Sequence, residues 1–278
     1  MSGALPNCLV VGPRKAGTSW LFEYLKDHGE FALPHGVKET FFFDRYHAKG
    51  LDWYAGHFND TGGKPFIIEV APTYFEDEAT PERIFEALGA IPIVCTFRNP
   101  VDRTYSLYRH LQRYGETRLP FREAVEMHGL ITGSLYGRQL GHWRSVFGED
   151  KVKVVYMEDL SRDADAFVQE IMSFLGASPV PVPERLQGRY FEAASAPNYF
   201  VAKITNTVAQ ALRSMKLYSL VNFLRDTPLK GIIFGKPDPD APKEKISDED
   251  RRWLLDTWLD ADLDELEALT GRSFDHWR

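Results

Sequence analysis

Three short stretches carry the residue types that chemistry needs. The first is Leu9-Val10-Val11-Gly12-Pro13-Arg14-Lys15-Ala16-Gly17-Thr18-Ser19-Trp20. An apolar run passes into small residues, two cations and two hydroxyls, and a helix-compatible run follows at once. This is the composition of a strand, an anion-cradling loop and a helix start. Unpaired backbone N–H groups at a helix start, with their partial positive charge, favour an anion. Arg14 and Lys15 add charge, Thr18 and Ser19 add hydroxyl donors, and Ala16 and Gly17 let a ligand approach the backbone. The loop of nucleotide triphosphatases has two glycines separated by four residues, then Lys and Ser or Thr. Here the lysine precedes the glycine, so the loop is of another kind.

The second stretch, Arg98-Asn99-Pro100-Val101-Asp102-Arg103-Thr104-Tyr105-Ser106-Leu107-Tyr108, repeats the theme. A cation follows an apolar run, and a helix start follows the cation: Asn99 as N-cap, Pro100 at the first helical position, Asp102 in the first turn. The third, Val37-Lys38-Glu39-Thr40-Phe41-Phe42-Phe43-Asp44, sets carboxylates against three consecutive aromatics. A carboxylate in such company is costly to bury unless it is paired. Glu39 therefore either faces solvent or Lys38, or is a carboxylate held at a cleft with a tunable pKa. The eight histidines show no metal-ligand spacing, and no metal site is expected.

The elements that must position these stretches alternate. Strands are expected at the run ending in Gly12, at Phe66–Val70, at Ile91–Phe97 and at Lys151–Tyr156. Helices are expected over about Gly17–His28, from Thr80 as N-cap to near Gly89, from Pro100 to about Tyr114, over Phe121–Met127, Ser134–Phe147 and Ala164–Leu175, and from Ser247 onward through Leu269. Ser178–Pro183 reads as a linker, Asn198–Arg225 as one or two helices, and about 187–245 as a variable lid or acceptor wall. The pattern predicts one α/β domain over 1–278, with a mainly parallel central sheet flanked by helices. Both anion-friendly loops then fall at the carboxyl edge of one sheet, where a ligand with two separated phosphates fits.

Composition narrows the function classes. The 278 residues are 44% hydrophobic and 26% charged, an ordinary soluble balance with a sizeable core. The net charge of −7 argues against chain-wide attraction to nucleic acid or an anionic membrane. No run approaches a membrane span, Met1–Asn7 lacks the charged start of a secretory signal, and Cys8 and Cys95 sit in apolar runs as buried thiols. A cytoplasmic chain without nucleic-acid or membrane partners is expected; composition specifies no oligomeric state.

Taken together, the stretches resemble the sulfotransferases that use 3′-phosphoadenosine-5′-phosphosulfate (PAPS). Pro13–Trp20 resembles their 5′-phosphosulfate loop, and Arg98 through Ser106 their 3′-phosphate motif. Val37–Asp44 followed by Gly50-Leu51-Asp52-Trp53-Tyr54 is similar to the acceptor-site stretch of the heparan sulfate branch, as are Glu69–Phe75 and the closing segment Leu269–Asp275. The resemblance implies a P-loop-like sulfotransferase fold. It implies that Arg14, Lys15, Ala16, Gly17, Thr18 and Ser19 hold the phosphosulfate, with Lys15 stabilising charge on the leaving phosphate. It implies that Arg98 and Ser106 bind the 3′-phosphate, and that Glu39 takes the acceptor proton. His35 is the second choice of base, and Trp53 and Tyr136 are candidates for either cleft lining or core. No metal is implied.

Two departures bear on the acceptor. Heparan enzymes carry a lysine where this chain has Val70, and they are disulfide-containing Golgi membrane proteins. With its acidic balance, this chain suits a small hydroxylated or amino acceptor better than a polyanionic glycan. The competing readings are a P-loop kinase of a small metabolite, marked by Mg²⁺-dependent ATP consumption, and a non-catalytic nucleotide-binding module, marked by binding without turnover.

Overall fold

The computed structural model describes residues 3–188 and 245–278. Its centre is β1 (Cys8–Gly12), every residue of which is buried. Leu9 and Val11 enter a core layer with Phe97, Tyr136 and Trp143, while Cys8 and Val10 enter the opposite layer with Trp20, Leu21 and Phe167. A strand covered on both faces needs a nearly continuous apolar run, and Cys8–Val11 supplies it. Around it lie β2 (Phe31–Ala32), β3 (Phe66–Val70), β4 (Ile93–Phe97) and β5 (Val152–Tyr156). The order is β2-β3-β1-β4-β5, with every pairing parallel. The expected α/β class and parallel sheet are thus found; the two-residue edge strand β2 is too short to leave a pattern in the sequence.

The helices that connect these strands are α1 (Thr18–Asp27), α2 (Leu51–Ala55), α3 (Thr80–Leu88), α4 (Pro100–Arg113), α5 (Phe121–Met127), α6 (Tyr136–Phe147), α7 (Met157–Arg162) and α8 (Ala164–Leu175). Two more, α9 (Asp248–Leu254) and α10 (Asp260–Thr270), close the chain with a π-helical turn, Leu255–Leu259, between them. From β1 the chain turns to β2 and β3 on one side, then crosses to β4 on the other. The carboxyl ends of β1 and β4 therefore flank a switch point, the place where ligands of open α/β sheets bind. Pairing between β1 and β4 slips between Val10 and Gly12, so β1 bulges as it enters its loop.

Local chemistry explains the boundaries. Asn99 caps α4 as expected, accepting from the N–H groups of Val101 and Asp102 at 3.0 and 3.2 Å, and its amide donates to the Trp277 carbonyl. Ser247 caps α9, accepting from Asp250 N at 3.1 Å. Thr80, expected as a cap, is the first residue of α3, whose start has no side-chain cap; its hydroxyl and Ala79 N donate to the Asp77 carboxylate in the turn ahead of the helix. Ser134 likewise does not cap α6. Its hydroxyl donates to the Pro100 carbonyl, and α6 is capped from α10 by Asp262, which accepts from Gly137 N and Arg138 N at 2.9 Å each. Ser178–Pro183 has no regular structure but is not a loose linker. Ser178 N donates to Glu30, the Tyr24 hydroxyl to the Val180 carbonyl, and Val182 N to Asp165.

The helices expected over Asn198–Arg225, and most of the lid expected over about 187–245, lie outside the described residues. Among the described residues no helix is long and apolar enough to cross a membrane.

Candidate active site

The first loop is built by backbone geometry. Lys15 has φ 70° and Gly17 φ 83°, both left-handed. For a lysine this conformation is uncommon and costs on the order of 1–3 kcal/mol. Gly17 has a second constraint, since a Cβ there would lie 1.9 Å from Met157 Sδ. The loop presents α1 with no side-chain cap on its first N–H groups. Ala16 and Thr18 are buried, Arg14, Lys15 and Gly17 half-buried, and Ser19 exposed. A pinched backbone, free helix N–H groups and a floor too close for any Cβ are what a phosphate cradle requires.

Cations gather around this cradle. Lys15 is pushed down to about 8, first by burial and then by the charges of Arg113, Arg98, Lys38 and Arg14. Two of those four have carboxylate partners: Arg14 pairs with Glu76, and Lys38 with Glu39 at 3.3 Å. Lys15, Arg98 and Arg113 form no ion pair among the described residues. Cations crowded without acids are an electrostatic debt that an anionic ligand would relieve. Arg98 leaves β4 half-buried, and its carbonyl accepts from the Tyr136 hydroxyl at 2.9 Å. Ser106 lies on α4, two turns on. His110, one turn further, is driven to about 3 by burial and by Lys15, Arg113 and Arg14, and so is neutral across the physiological range.

The third stretch comes to the same place through one side chain. Lys38 Nζ donates to Ser19 Oγ at 3.0 Å and faces Glu39 Oε1 at 3.3 Å, so it links the cradle to the carboxylate. Glu39 is 17% exposed at its side chain. Burial raises its pKa, Asp44 adds to the rise, and Lys38 and Arg45 oppose it. A carboxylate raised in this way holds a proton more readily than an exposed one, the direction a general base needs. Of the two readings of Glu39, the structure shows the pairing with Lys38.

What holds Glu39 there is Glu69, a fully buried carboxylate on β3. It accepts from Thr40 N at 2.6 Å, the Tyr54 hydroxyl at 2.9 Å and the Tyr74 hydroxyl at 3.2 Å. Burial lifts Glu69 to about 7, against these three donors. Phe41, held at φ 54°, turns the chain so that Phe42 and Phe43 pack inward against Tyr54. Beyond it, Arg14, Asp44, Arg45, Thr73, Glu76 and Asp77 line a cavity of about 230 Å³. Asp44 is raised by burial; the Thr73 hydroxyl lies near enough to favour its charge, yet neither Asp44 Oδ1 nor Thr73 Oγ1 completes a hydrogen bond. A larger surface cavity, about 400 Å³, is lined by Glu78, Arg138, Gln139 and His142, none of which belongs to these stretches.

Other candidates take structural places. Tyr136 is fully buried and stacks on Phe97 at 4.2 Å, which makes it core and not cleft lining. Trp53 packs against Phe42 and His57. His35 is exposed, and its backbone N–H donates to the His57 carbonyl. Val70 is buried in β3. Sequence reasoning gave no role to Glu69, His110 or Arg113. An acid inside the apolar run of β3 was the signal for the first, and spacings of four and seven from Ser106 the signal for the others.

A parallel α/β sheet with cation-bearing loops after β1 and β4, at the switch point of the strand order, is the architecture in which such sheets bind ligands. Residues 5–200 match the family model described as the sulfotransferase domain. The chain belongs to the sulfotransferase domain family. It is 30% identical over 200 residues to the human bifunctional heparan sulfate N-deacetylase/N-sulfotransferase 2, covering 63% of this chain and 22% of that protein. It is 29% identical over 197 residues to the human heparan sulfate glucosamine 3-O-sulfotransferase 6, covering 68% of this chain and 56% of that one. The chain thus spans about a fifth of the first relative and about half of the second. The crystal structure of a sulfotransferase from Alicyclobacillus acidocaldarius has the same fold, with a TM-score of 0.71, 24% identity and 99% of each chain covered.

Proposed function

We propose that the chain transfers a sulfuryl group from PAPS to a hydroxyl or amine of a small acceptor. The observation that carries this reading is the Lys38 bridge, which sets Glu39 within one side chain of the anion cradle. In the reading, Arg14, Lys15, Ala16, Gly17, Thr18 and Ser19 hold the 5′-phosphosulfate, and Arg98 and Ser106 the 3′-phosphate. The donor supplies an activated sulfuryl group. Glu39 takes the proton of the acceptor O–H or N–H as the new bond to sulfur forms. Lys15 stabilises the charge left on the phosphate oxygen as its bond to sulfur breaks. Positioning and stabilised leaving-group charge are what an in-line displacement needs.

The cavity beside Arg14 favours a small neutral or amino acceptor over a polyanionic chain. Three acids, Asp44, Glu76 and Asp77, line it beside two arginines, and Arg14 is already paired with Glu76. A sulfated glycan would meet like charge there. Cys8 and Cys95 lie on opposite faces of the sheet and are free, which suits a reducing compartment such as the cytoplasm.

The test is a thermal shift with adenosine 3′,5′-bisphosphate beside ADP and Mg²⁺-ATP. A ligand that binds only the folded chain raises its apparent stability. A shift with the bisphosphate that ADP does not match is expected. A shift with Mg²⁺-ATP instead would replace this reading with a kinase, and none with any nucleotide would remove the donor assignment.

A further inference from the structure

The sequence motifs assign ligands to Lys15, Arg98 and Ser106 and leave Arg113 unassigned. Arg113 is the last residue of α4, where a cation complements the helix dipole. That accounts for a positive charge there but not for its surroundings. Its Nε is buried without a partner, and it forms no ion pair among the described residues. Its charge acts on Lys15 more strongly than any other, and it also acts on His110. Ordinary stability would place a carboxylate beside such a group; the charged and titratable groups acting on it or acted on by it are Lys15, Arg109, His110 and Tyr114.

Helix geometry gives the direction. Ser106, His110 and Arg113 are spaced by four and then three residues, so they lie along one face of α4. Seven residues advance about 10 Å along the axis. Ser106 stands near the middle of that face and Arg113 at its far end, and of the surrounding charges that of Arg113 acts most strongly on Lys15. Ser106 is proposed for the 3′-phosphate, and Lys15 for the phosphosulfate.

We propose, resting on the PAPS reading above, that Arg113 is a donor-contacting residue that binds the sulfuryl end of PAPS beside Lys15. A planar guanidinium with a free, buried edge offers directional donors to sulfuryl oxygens, which a second lysine would not. The product, adenosine 3′,5′-bisphosphate, lacks that group. Arg113 then separates donor from product, whereas Arg98 and Ser106 grip both.

Calorimetric titration without acceptor tests this on the full chain, with PAPS and adenosine 3′,5′-bisphosphate as ligands. For Arg113→Gln the expected result is PAPS affinity lowered about tenfold or more, with bisphosphate affinity held within about twofold. Arg113→Lys keeps the charge and loses the fork, and is expected to fall between. Retained bisphosphate binding also reports that each variant is folded. Loss of both affinities to the same extent in both variants, or unchanged PAPS affinity, overturns the assignment. Failure of the unsubstituted chain to bind either ligand overturns the donor reading itself.

Discussion

At the carboxyl ends of β1 and β4, Lys15, Arg98 and Arg113 crowd together without acidic partners, on a loop whose own backbone is pinched at Lys15 and Gly17. On the other side of Lys38, Glu39, Asp44 and Glu69 are carboxylates raised by burial, and Glu69 gathers Thr40, Tyr54 and Tyr74 from three separate segments. The cationic side is assembled largely by consecutive residues and its charges await a counter-ion. The acidic side is assembled by tertiary contacts, and its charges are disfavoured by desolvation. One region is prepared to bind charge and the other to take up a proton. Lys38 spans them, bonded to Ser19 on one side and Glu39 on the other.

Substitutions that silence one region and spare the other have the largest expected effect. Glu39→Gln removes the proton acceptor and the charge facing Lys38 but leaves every proposed donor contact in place. Turnover should fall on the order of 10²–10⁴-fold, with donor affinity within about twofold of the parent. Lys15→Ala should lower donor affinity and turnover together, because the same cation serves ground state and leaving group. Single-turnover rates and equilibrium titration separate the two. Near-full turnover of Glu39→Gln would place the base elsewhere and end the division of labour.

Within the cationic side, Arg98 is expected to discriminate between nucleotides, with no part in the chemistry. Arg98→Ala should erode the preference for adenosine 3′,5′-bisphosphate over ADP by roughly 10–100-fold, the worth of a charge-assisted hydrogen bond. Unchanged discrimination in competitive titrations would move the 3′-phosphate away from the end of β4.

The cationic side was largely legible in the sequence because its causes are local. Small residues, cations and hydroxyls follow an apolar strand, and Asn99-Pro100 announces α4. Arg113 and His110 escaped because their relation to Lys15 exists only in the folded chain, between segments about 95 residues apart. The acidic side was legible as residues but not as an arrangement. Glu39 among aromatics was noticed, yet the bond from Thr40 N to Glu69 joins segments 29 residues apart. Capping failed for the same reason at Thr80 and Ser134. Each has cap chemistry, but the Thr80 hydroxyl is taken by Asp77, and Asp262 reaches the start of α6 first. Short elements such as β2 carry too few residues to show a period at all.

The smallest effect on turnover is expected at Glu69, and it sharpens the comparison because Glu69 holds the base segment without facing the cleft. Burial raises its carboxyl from 4.5 to about 7 in the folded chain. The folded state therefore binds this proton more tightly than the unfolded one. Its contribution is most favourable below about pH 4.5 and is lost as the pH rises to about 7, a difference of roughly 3 kcal/mol. Glu69→Gln keeps a carbonyl acceptor for its neighbours and removes the titration. The stability advantage of the parent over the variant should shrink by that amount between pH 4.5 and 7, read from urea midpoints at each pH. Turnover should fall no more than about tenfold, since Glu69 touches Thr40 and not the acceptor. Parallel stability curves for parent and variant would mean that Glu69 carries its charge at no cost. The acidic side would then be held by its three donors alone, and its contrast with the cationic side would rest on Glu39 and Asp44.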